Sequence, residues 1–256
     1  MRNGRTLLWV PLATAALAAC GTGPVDAFGL VPGALSADLV AHWSFDEGAG
    51  STVGDSSGNG HHGVLNGSTW SWVPQGRFGA AIHLEQGDYA SVESFPAATP
   101  GWTVAVWVRF ASANVGIGEA TVISTEAVFN GGWEINLIAP SDEGDLRYHF
   151  GFWTGPTSYE YAHYECKDCL HPDQWQHLAA VVDGTASTMA FYLDGVLQGR
   201  QSIQRSISPG VPTVYLGRWA TTDPARLFVG TLDDVAIWSR PLVSEEIVLL
   251  TQAPAP

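Results

Sequence analysis

Residues 102–110 read WTVAVWVRF. Trp102, Val104, Val106, Val108 and Phe110 share one parity, and Thr103, Ala105, Trp107 and Arg109 share the other. Successive side chains of an extended chain point to opposite faces. A period of two, rich in β-branched and aromatic residues, therefore predicts a strand with one apolar face. The pattern recurs outward in both directions, in LVAHWSF (39–45), GWEINLI (132–138), LRYHFGFW (146–153), WQHLAAVVD (175–183), TMAFYLDG (188–195) and TLDDVAIW (231–238). Breaks rich in Gly, Pro and Asn separate these runs. Asp194–Gly195, between AFYL and VLQG, predicts a two-residue hairpin. One short helix is expected near the C-terminal end, with Ser244 as its cap, Glu245 and Glu246 in its first turn, and Ile247, Leu249 and Leu250 as its apolar face. Many strands without βαβ alternation predict an all-β chain, a sandwich or a jelly roll.

The ends read differently. Residues 1–19 begin with two arginines and no acid, and Leu7–Ala19 is apolar and small. That run is too short to span a bilayer as a helix and has the form of an export signal. It ends in LAAC, Leu17–Cys20, which resembles the bacterial lipobox. The resemblance implies cleavage before Cys20, a lipid on its sulfur and, with Gly21 rather than Asp following, an outer-membrane or cell-surface location. An ordinary secretory signal with a chance cysteine is the alternative. Residues 20–37 read as a flexible tether, 38–251 as one domain and 252–256 as a frayed tail.

With the leader's Arg2 and Arg5 removed, 9 of the 11 basic residues remain against 25 acidic ones, a net charge near −16. Such a surface repels phosphate backbones, so nucleic acid is not an expected partner. It suits cations. The membrane is expected to be met only through the N-terminal lipid. Cys166 and Cys169 sit in HYECKDCLH. In an exported chain such a pair predicts a disulfide, while His163, Cys166, Cys169 and His171 also have the spacing of four zinc ligands.

LVAHWSFDEGAGSTVGDSSGNGHHGVL resembles the opening of the LamG-like, concanavalin A-like jelly-roll domains of bacterial surface proteins. GRFGAAIHLEQGDYASV, WTVAVWVRF, WQHLAAVVDGTASTMAFYLDGVLQG and FVGTLDDVAIWSRPLVSEEI follow in that family's order. SANVGIGEA and YEYAHYECKDCLHPD look like longer loops of this chain's own. The resemblance implies a two-sheet antiparallel jelly-roll sandwich with one of its sheets curved, and a calcium ion where the N- and C-terminal strands meet, with Asp233 as the family's ligand position. Glycines let carbonyls converge on a hard cation that takes six to eight oxygens. Asp46, Asp55, Asn59 and Asp233 are the candidate calcium ligands. The plainer alternative is that DSSGNG (55–60) is a turn closed by Asx hydrogen bonds. His61 and His62, adjacent on an extended chain, face opposite ways and are expected to be structural.

The same fold carries glycoside hydrolases and polysaccharide lyases. Related sandwich hydrolases place their carboxylates on one strand as Glu-x-Asp-x-Glu, and this chain has no such run: Glu134 is followed two residues on by Asn136. A non-catalytic binding module is therefore the leading expectation. If the strands bearing Trp107 and Arg109, Glu134 and Asn136, and Arg147, His149 and Trp153 share the curved sheet, they present aromatic, amide and charged groups together, as a sugar site does. Tyr159 and Tyr161 in the long loop are further candidates for contact. The expected partner is a glycan or, alternatively, a surface protein.

Overall fold

The computed structural model describes residues 33–114, 118–125, 131–139, 147–155, 158–165, 170–204, 212–219 and 226–256, without the side chains of 113, 139, 154–155 and 158–165. The leader, Cys20, most of the tether, Cys166 and Cys169 lie outside the described residues. The chain divides into two compact units, Met1–Ala34 and Leu35–Pro256, and the strands lie in the second. In chain order the strands are β1 (Leu39–Trp43), β2 (Thr52–Val53), β3 (Gly63–Asn66), β4 (Ser71–Val73), β5 (Ala81–Leu84), β6 (Tyr89–Glu93), β7 (Gly101–Phe110) and β8 (Gly118–Ser124). They continue with β9 (Trp133–Ala139), β10 (Arg147–Gly155), β11 (Ser158–Glu165), β12 (Gln176–Asp183), β13 (Thr188–Leu193), β14 (Val196–Ser202), β15 (Thr213–Leu216) and β16 (Gly230–Trp238), and a helix α1 (Ser244–Leu250) follows.

These strands form the two antiparallel sheets of the expected jelly roll. The first runs β14-β13-β12-β7-β16-β5-β4, with β1 also paired to β16, and the second runs β11-β10-β9-β8-β15-β6-β3-β2. Alternation decides what lies between them. Trp102, Val104, Val106, Val108 and Phe110 of β7 enter one core with Trp133, Ile135 and Leu137 of β9 and Tyr148, Phe150 and Phe152 of β10. The β13–β14 turn is at Asp194–Gly195, both with positive φ (50° and 80°), as an Asn-Gly type hairpin requires.

The outer face of the first sheet is also covered. Ala105, Ala179, Ala190 and Ala236 leave it nearly flat, and Ile247 and Leu250 of α1 pack into a second apolar cluster there with Tyr192 and Trp238. Small residues are what let a helix approach a sheet this closely. Two expectations about this region change. Ser244 does not cap the helix; its hydroxyl meets Tyr192 Oη (3.1 Å), and Val243 occupies the cap position. The Glu246 carboxylate instead accepts the Val243 N–H (2.9 Å) and pairs with both terminal nitrogens of Arg240 (2.8 and 2.6 Å). The tail is not frayed, since Ala255 is buried and donates its N–H to Asp234 Oδ2 (2.9 Å). In the middle of the chain, SYEYAHYE (158–165) is the strand β11, paired along β10, and not a loop. Among the described residues no helix is long and apolar enough to cross a membrane.

The 55–63 stretch is organised by one carboxylate. Asp55 Oδ1 accepts N–H bonds from His42 (3.0 Å) and Ser57 (2.9 Å), and its Oδ2 accepts one from His61 (2.9 Å). Burial works against its charge, but the donors from His42, Ser57 and His61 outweigh it and draw its pKa below the ordinary carboxylate value. His62 Nδ1 accepts the Asp55 N–H (3.0 Å), and the His61 carbonyl accepts the Trp43 indole (2.8 Å). Both histidines therefore take part in closing the turn. Replacing Asp55 with Ala should cost about 3 kcal/mol, since several backbone donors lose their acceptor together; urea denaturation of the two proteins measures it, and an unchanged midpoint would show that the loop closes without this side chain.

Candidate ligand-binding face

Because Trp133, Ile135 and Leu137 point into the core, Glu134 and Asn136 of β9 point out of the second sheet. Arg147, His149 and Trp153 of β10 do likewise. Register aligns them: His149 stands opposite Asn136, and Asn136 opposite Thr121 of β8. A polar face of this kind is ordinarily solvated. Here Thr121, Glu134, Asn136 and His149 are all buried, with Asn136 and Thr121 at 0% exposure.

The segment before β16 explains part of that burial. Leu227 bridges in parallel to Thr121, which carries Arg226 to the same face. Arg226 pairs with Glu119 Oε2 (2.7 Å) and reaches Glu134 Oε2 (3.5 Å), so one guanidinium joins carboxylates from neighbouring strands. Glu119 Oε1 accepts from Asn136 Nδ2 (2.7 Å) and lies 3.9 Å from His149 Nδ1. The Arg226 guanidinium also stacks on the half-buried Trp219, 4.0 Å from its ring centre. Among the described residues, Thr121 Oγ1, Asn136 Oδ1 and Trp219 Nε1 are buried without a hydrogen-bond partner. Each such group costs about 1–3 kcal/mol unless something polar meets it.

The predicted patch thus divides between the two sheets. Glu134, Asn136, Arg147, His149 and Trp153 do share one face, but Trp107 and Arg109 belong to β7 in the first sheet and do not join them. Trp107 is buried beneath the Arg77 guanidinium (4.3 Å), meets Phe78 edge-on (6.0 Å) and donates Nε1 to the Leu250 carbonyl (3.3 Å). Arg109 stacks over Trp175 (5.1 Å) and donates to Thr231 Oγ1 (3.4 Å). Parity says which way a residue faces and not which sheet carries it. The backbone of β11 places Tyr159 opposite Trp153 and Tyr161 opposite Gly151; their side chains, and that of His163, lie outside the described residues. His171 is exposed and donates its N–H to Gln176 Oε1 (3.4 Å). Sequence reasoning missed Glu119, Arg226 and Trp219. The scarcity of basic residues was the available signal for Arg226, since in so acidic a chain an arginine between strands has carboxylates to meet.

The four candidate calcium ligands are also distributed. Asp55 is engaged as described above, and Asn59 Nδ2 donates to the Leu39 and Val40 carbonyls (2.9 and 3.0 Å). Asp46 and Asp233 instead grip one loop, residues 76–80. Asp46 Oδ1 accepts the Ala80 N–H (2.7 Å), and Asp233 Oδ2 accepts those of Arg77 (2.7 Å) and Phe78 (2.9 Å). Gly79 takes φ +66°, and a Cβ there would collide with Asp46 Oδ1. Asp233 is fully buried, and its Oδ1 has no partner among the described residues. Burial, only partly offset by the Phe78 and Arg77 N–H bonds, pushes its carboxyl up to about 7. No cluster of three or more His, Cys, Asp or Glu suited to a metal occurs among the described residues.

Residues 84–248 match the laminin G type 3 model of the concanavalin A-like lectin/glucanases superfamily. Comparison with curated proteins gives no match. Among solved structures, the fold is similar to the binding domain of Paraclostridial Mosquitocidal Protein 1 (TM-score 0.67, 18% identity, 85% of this chain and 52% of that one). It is similar too to the receptor binding domain of botulinum neurotoxin D (0.64, 15%, 85% and 53%). A third is the binding domain of botulinum neurotoxin DC in complex with rat synaptotagmin II (0.66, 14%, 85% and 52%). The chain spans about half the length of these domains, and at such identities the likeness is one of fold.

His177 on the outer face of the first sheet gives a pH test of the packing around Trp107. It is buried against that indole (5.2 Å between rings), and desolvation, with Arg77 nearby, pushes its pKa from 6.5 down to about 3. A depressed histidine stabilises the fold above its unfolded pKa, and that contribution is lost as pH falls from 6.5 towards 3. His177→Gln should therefore show a shallower fall in melting temperature between pH 7 and pH 4 than the native chain; parallel curves would mean that His177 does not titrate as placed.

Proposed function

The chain belongs to the concanavalin A-like lectin/glucanases superfamily, and we propose that it is a non-catalytic binding module whose ligand, a carbohydrate, lies on the outer face of the second sheet. One observation carries this reading. Among the described residues, Thr121 Oγ1, Asn136 Oδ1 and Trp219 Nε1 on that face are buried without hydrogen-bond partners, beside a charged network that joins neighbouring strands. A polyhydroxylated ligand can both donate and accept, directly or through water. The half-buried Trp153 and Trp219 supply ring faces for sugars, and Arg147, Arg226 and Glu119 supply planar polar groups at the rim. The solved domains of similar fold are binding domains by their own descriptions.

A hydrolase on the same face has one observation in its favour, the approach of Glu119 and Glu134. Retaining and inverting glycosidases alike need two carboxyls flanking the scissile bond. Here one guanidinium joins both, which ties the two carboxylates into one charge network rather than leaving them as a separate acid and nucleophile. That favours binding over turnover.

The test is a glycan array with the full chain. Trp219→Ala and Arg226→Ala should each weaken retention at least tenfold, about 1.4 kcal/mol, while Arg109→Ala, on the other sheet, should leave it unchanged. Retention of a surface protein with no glycan response would replace this reading with a protein-contact module. Release of oligosaccharide would replace it with an enzyme.

We also propose that a divalent cation, calcium, strengthens the fold at Asp233 and Asp46. The support is the unpartnered buried Oδ1 of Asp233 and the position of both carboxylates on the 76–80 loop. Calcium there would supply the positive charge that this buried oxygen lacks, with backbone carbonyls and water completing its shell. Asp55 and Asn59 are then turn-forming residues, as their backbone partners suggest. Calcium should raise the melting temperature by several degrees over chelator-treated protein, and Asp233→Asn should abolish the difference; equal melting with and without the ion would remove calcium from the account.

A further inference from the structure

Beside the start of α1, on the outer face of the first sheet, lies a groove of about 340 Å³, partly open to solvent. The helix has seven residues, a length of about 10 Å, and leaves the groove uncovered where it begins. Val181, Ala190 and Tyr192 line the groove as buried side chains, and the exposed Val243 stands at its edge. The volume and this apolar floor are those of a small-molecule site, in which a few polar groups set orientation. None of the lining residues belongs to the polar face of the second sheet.

Register places the charges around that floor. Val181 stands opposite Ala190, and Ala190 opposite Arg200, so one row crosses from β12 to β14. Asp183 lies two residues along β12 from Val181 and therefore on the same face. An acid on β12 and a base on β14 thus flank the apolar floor, on strands about 10 Å apart. Glu245, exposed in the first turn of α1, adds a second carboxylate to the lining. Asp183 Oδ1 accepts the Thr185 and Ala186 N–H groups (2.9 Å each), while its Oδ2 has no partner among the described residues. The Arg200 side chain has no hydrogen bond or ion pair among the described residues. That sets it apart from Arg226 and Arg240, which join carboxylates in this acidic chain. The hydroxyl of Tyr192, by contrast, is already engaged with Ser244 Oγ (3.1 Å).

We propose that this groove binds a zwitterionic amphipath, with its apolar body on Val181, Ala190 and Tyr192, its carboxylate on Arg200 and its ammonium on Asp183 and Glu245. The floor selects an apolar body, and the opposed charges select its two ends and their separation. The guanidinium fork matches a carboxylate in geometry as well as in charge. The site is independent of the carbohydrate reading and stands or falls separately from it.

Three probes of nearly equal shape decide the matter. The first, 8-aminooctanoate, carries both charges; 8-aminooctanamide carries only the cation, and 8-hydroxyoctanoate only the anion. Each is titrated into the full chain at neutral pH, and its affinity is read by saturation-transfer NMR. The proposal expects 8-aminooctanoate to bind about threefold more tightly than either of the others, the weight of one exposed ion pair. Arg200→Gln should bind 8-aminooctanoate and 8-aminooctanamide alike. Asp183→Asn combined with Glu245→Gln, which keeps an oxygen acceptor for the Thr185 and Ala186 amides, should bind 8-aminooctanoate and 8-hydroxyoctanoate alike. No binding of any probe, equal affinities for the native chain, or a preference that persists in the matching variant would each overturn it. Should a variant not fold, the affinities on the native chain decide alone.

Discussion

The fold turns on a bulge in β16. Residues 230–232 pair with β5, residues 235–238 pair with β1, and the register against β7 shifts between Asp233 and Ala236. Asp234 takes φ +49° at this point. A bulge re-aims the side chains of its strand, and here it directs two consecutive aspartates to different tasks. Asp233 holds the 76–80 loop by its backbone amides. Asp234 accepts from the buried His42 Nε2 of β1 (2.6 Å) with one oxygen and from the Ala255 amide with the other. One irregular turn of backbone thus fastens the first strand, an early loop and the last residues to the central strand of a sheet. Apolar burial supplies the bulk of the stabilisation, but it is non-directional and would not by itself specify these joins.

Charge is organised with the same economy. The chain has 11 basic residues against 25 acidic ones, and several arginines sit where they stack on rings or join carboxylates. Arg77 covers Trp107, Arg109 covers Trp175, Arg218 covers Tyr89 and Arg226 covers Trp219. Arg240 and Arg226 complete carboxylate pairs as well. Guanidinium suits both roles, being planar, weakly hydrated and rich in donors.

Much of the architecture was legible in the order of residues. The runs around Val106, Ile135, Phe150 and Ala180 became strands with the expected inward parity, and Asp194–Gly195 became the expected turn. What local reading lacked was the identity of the neighbouring layer. Trp107 and Glu134 have equivalent alternation, yet a helix covers the face of one and a charged network that of the other. The alanines at 105, 179, 190 and 236 carried the hint, because a solvated strand face has no need of such small residues. The polar face was only half legible. Asn136 and His149 follow from alternation, but Glu119 and Arg226 arrive through non-local pairing, a bridge between Thr121 and Leu227 that no periodicity announces. The Ser244 expectation failed for a related reason: its hydroxyl meets Tyr192 from the neighbouring sheet, and Glu246 reaches back from within the helix to the Val243 amide.

Since a single carboxylate, Asp234, touches both His42 and Ala255, the two ends of the sandwich emerge side by side. Chain ends so placed can be joined by a short linker without disturbing either sheet, and new ends opened at the exposed Gln86–Gly87 turn instead. The unit is in that sense a closed circuit, its first strand and its residues 252–256 meeting at one aspartate.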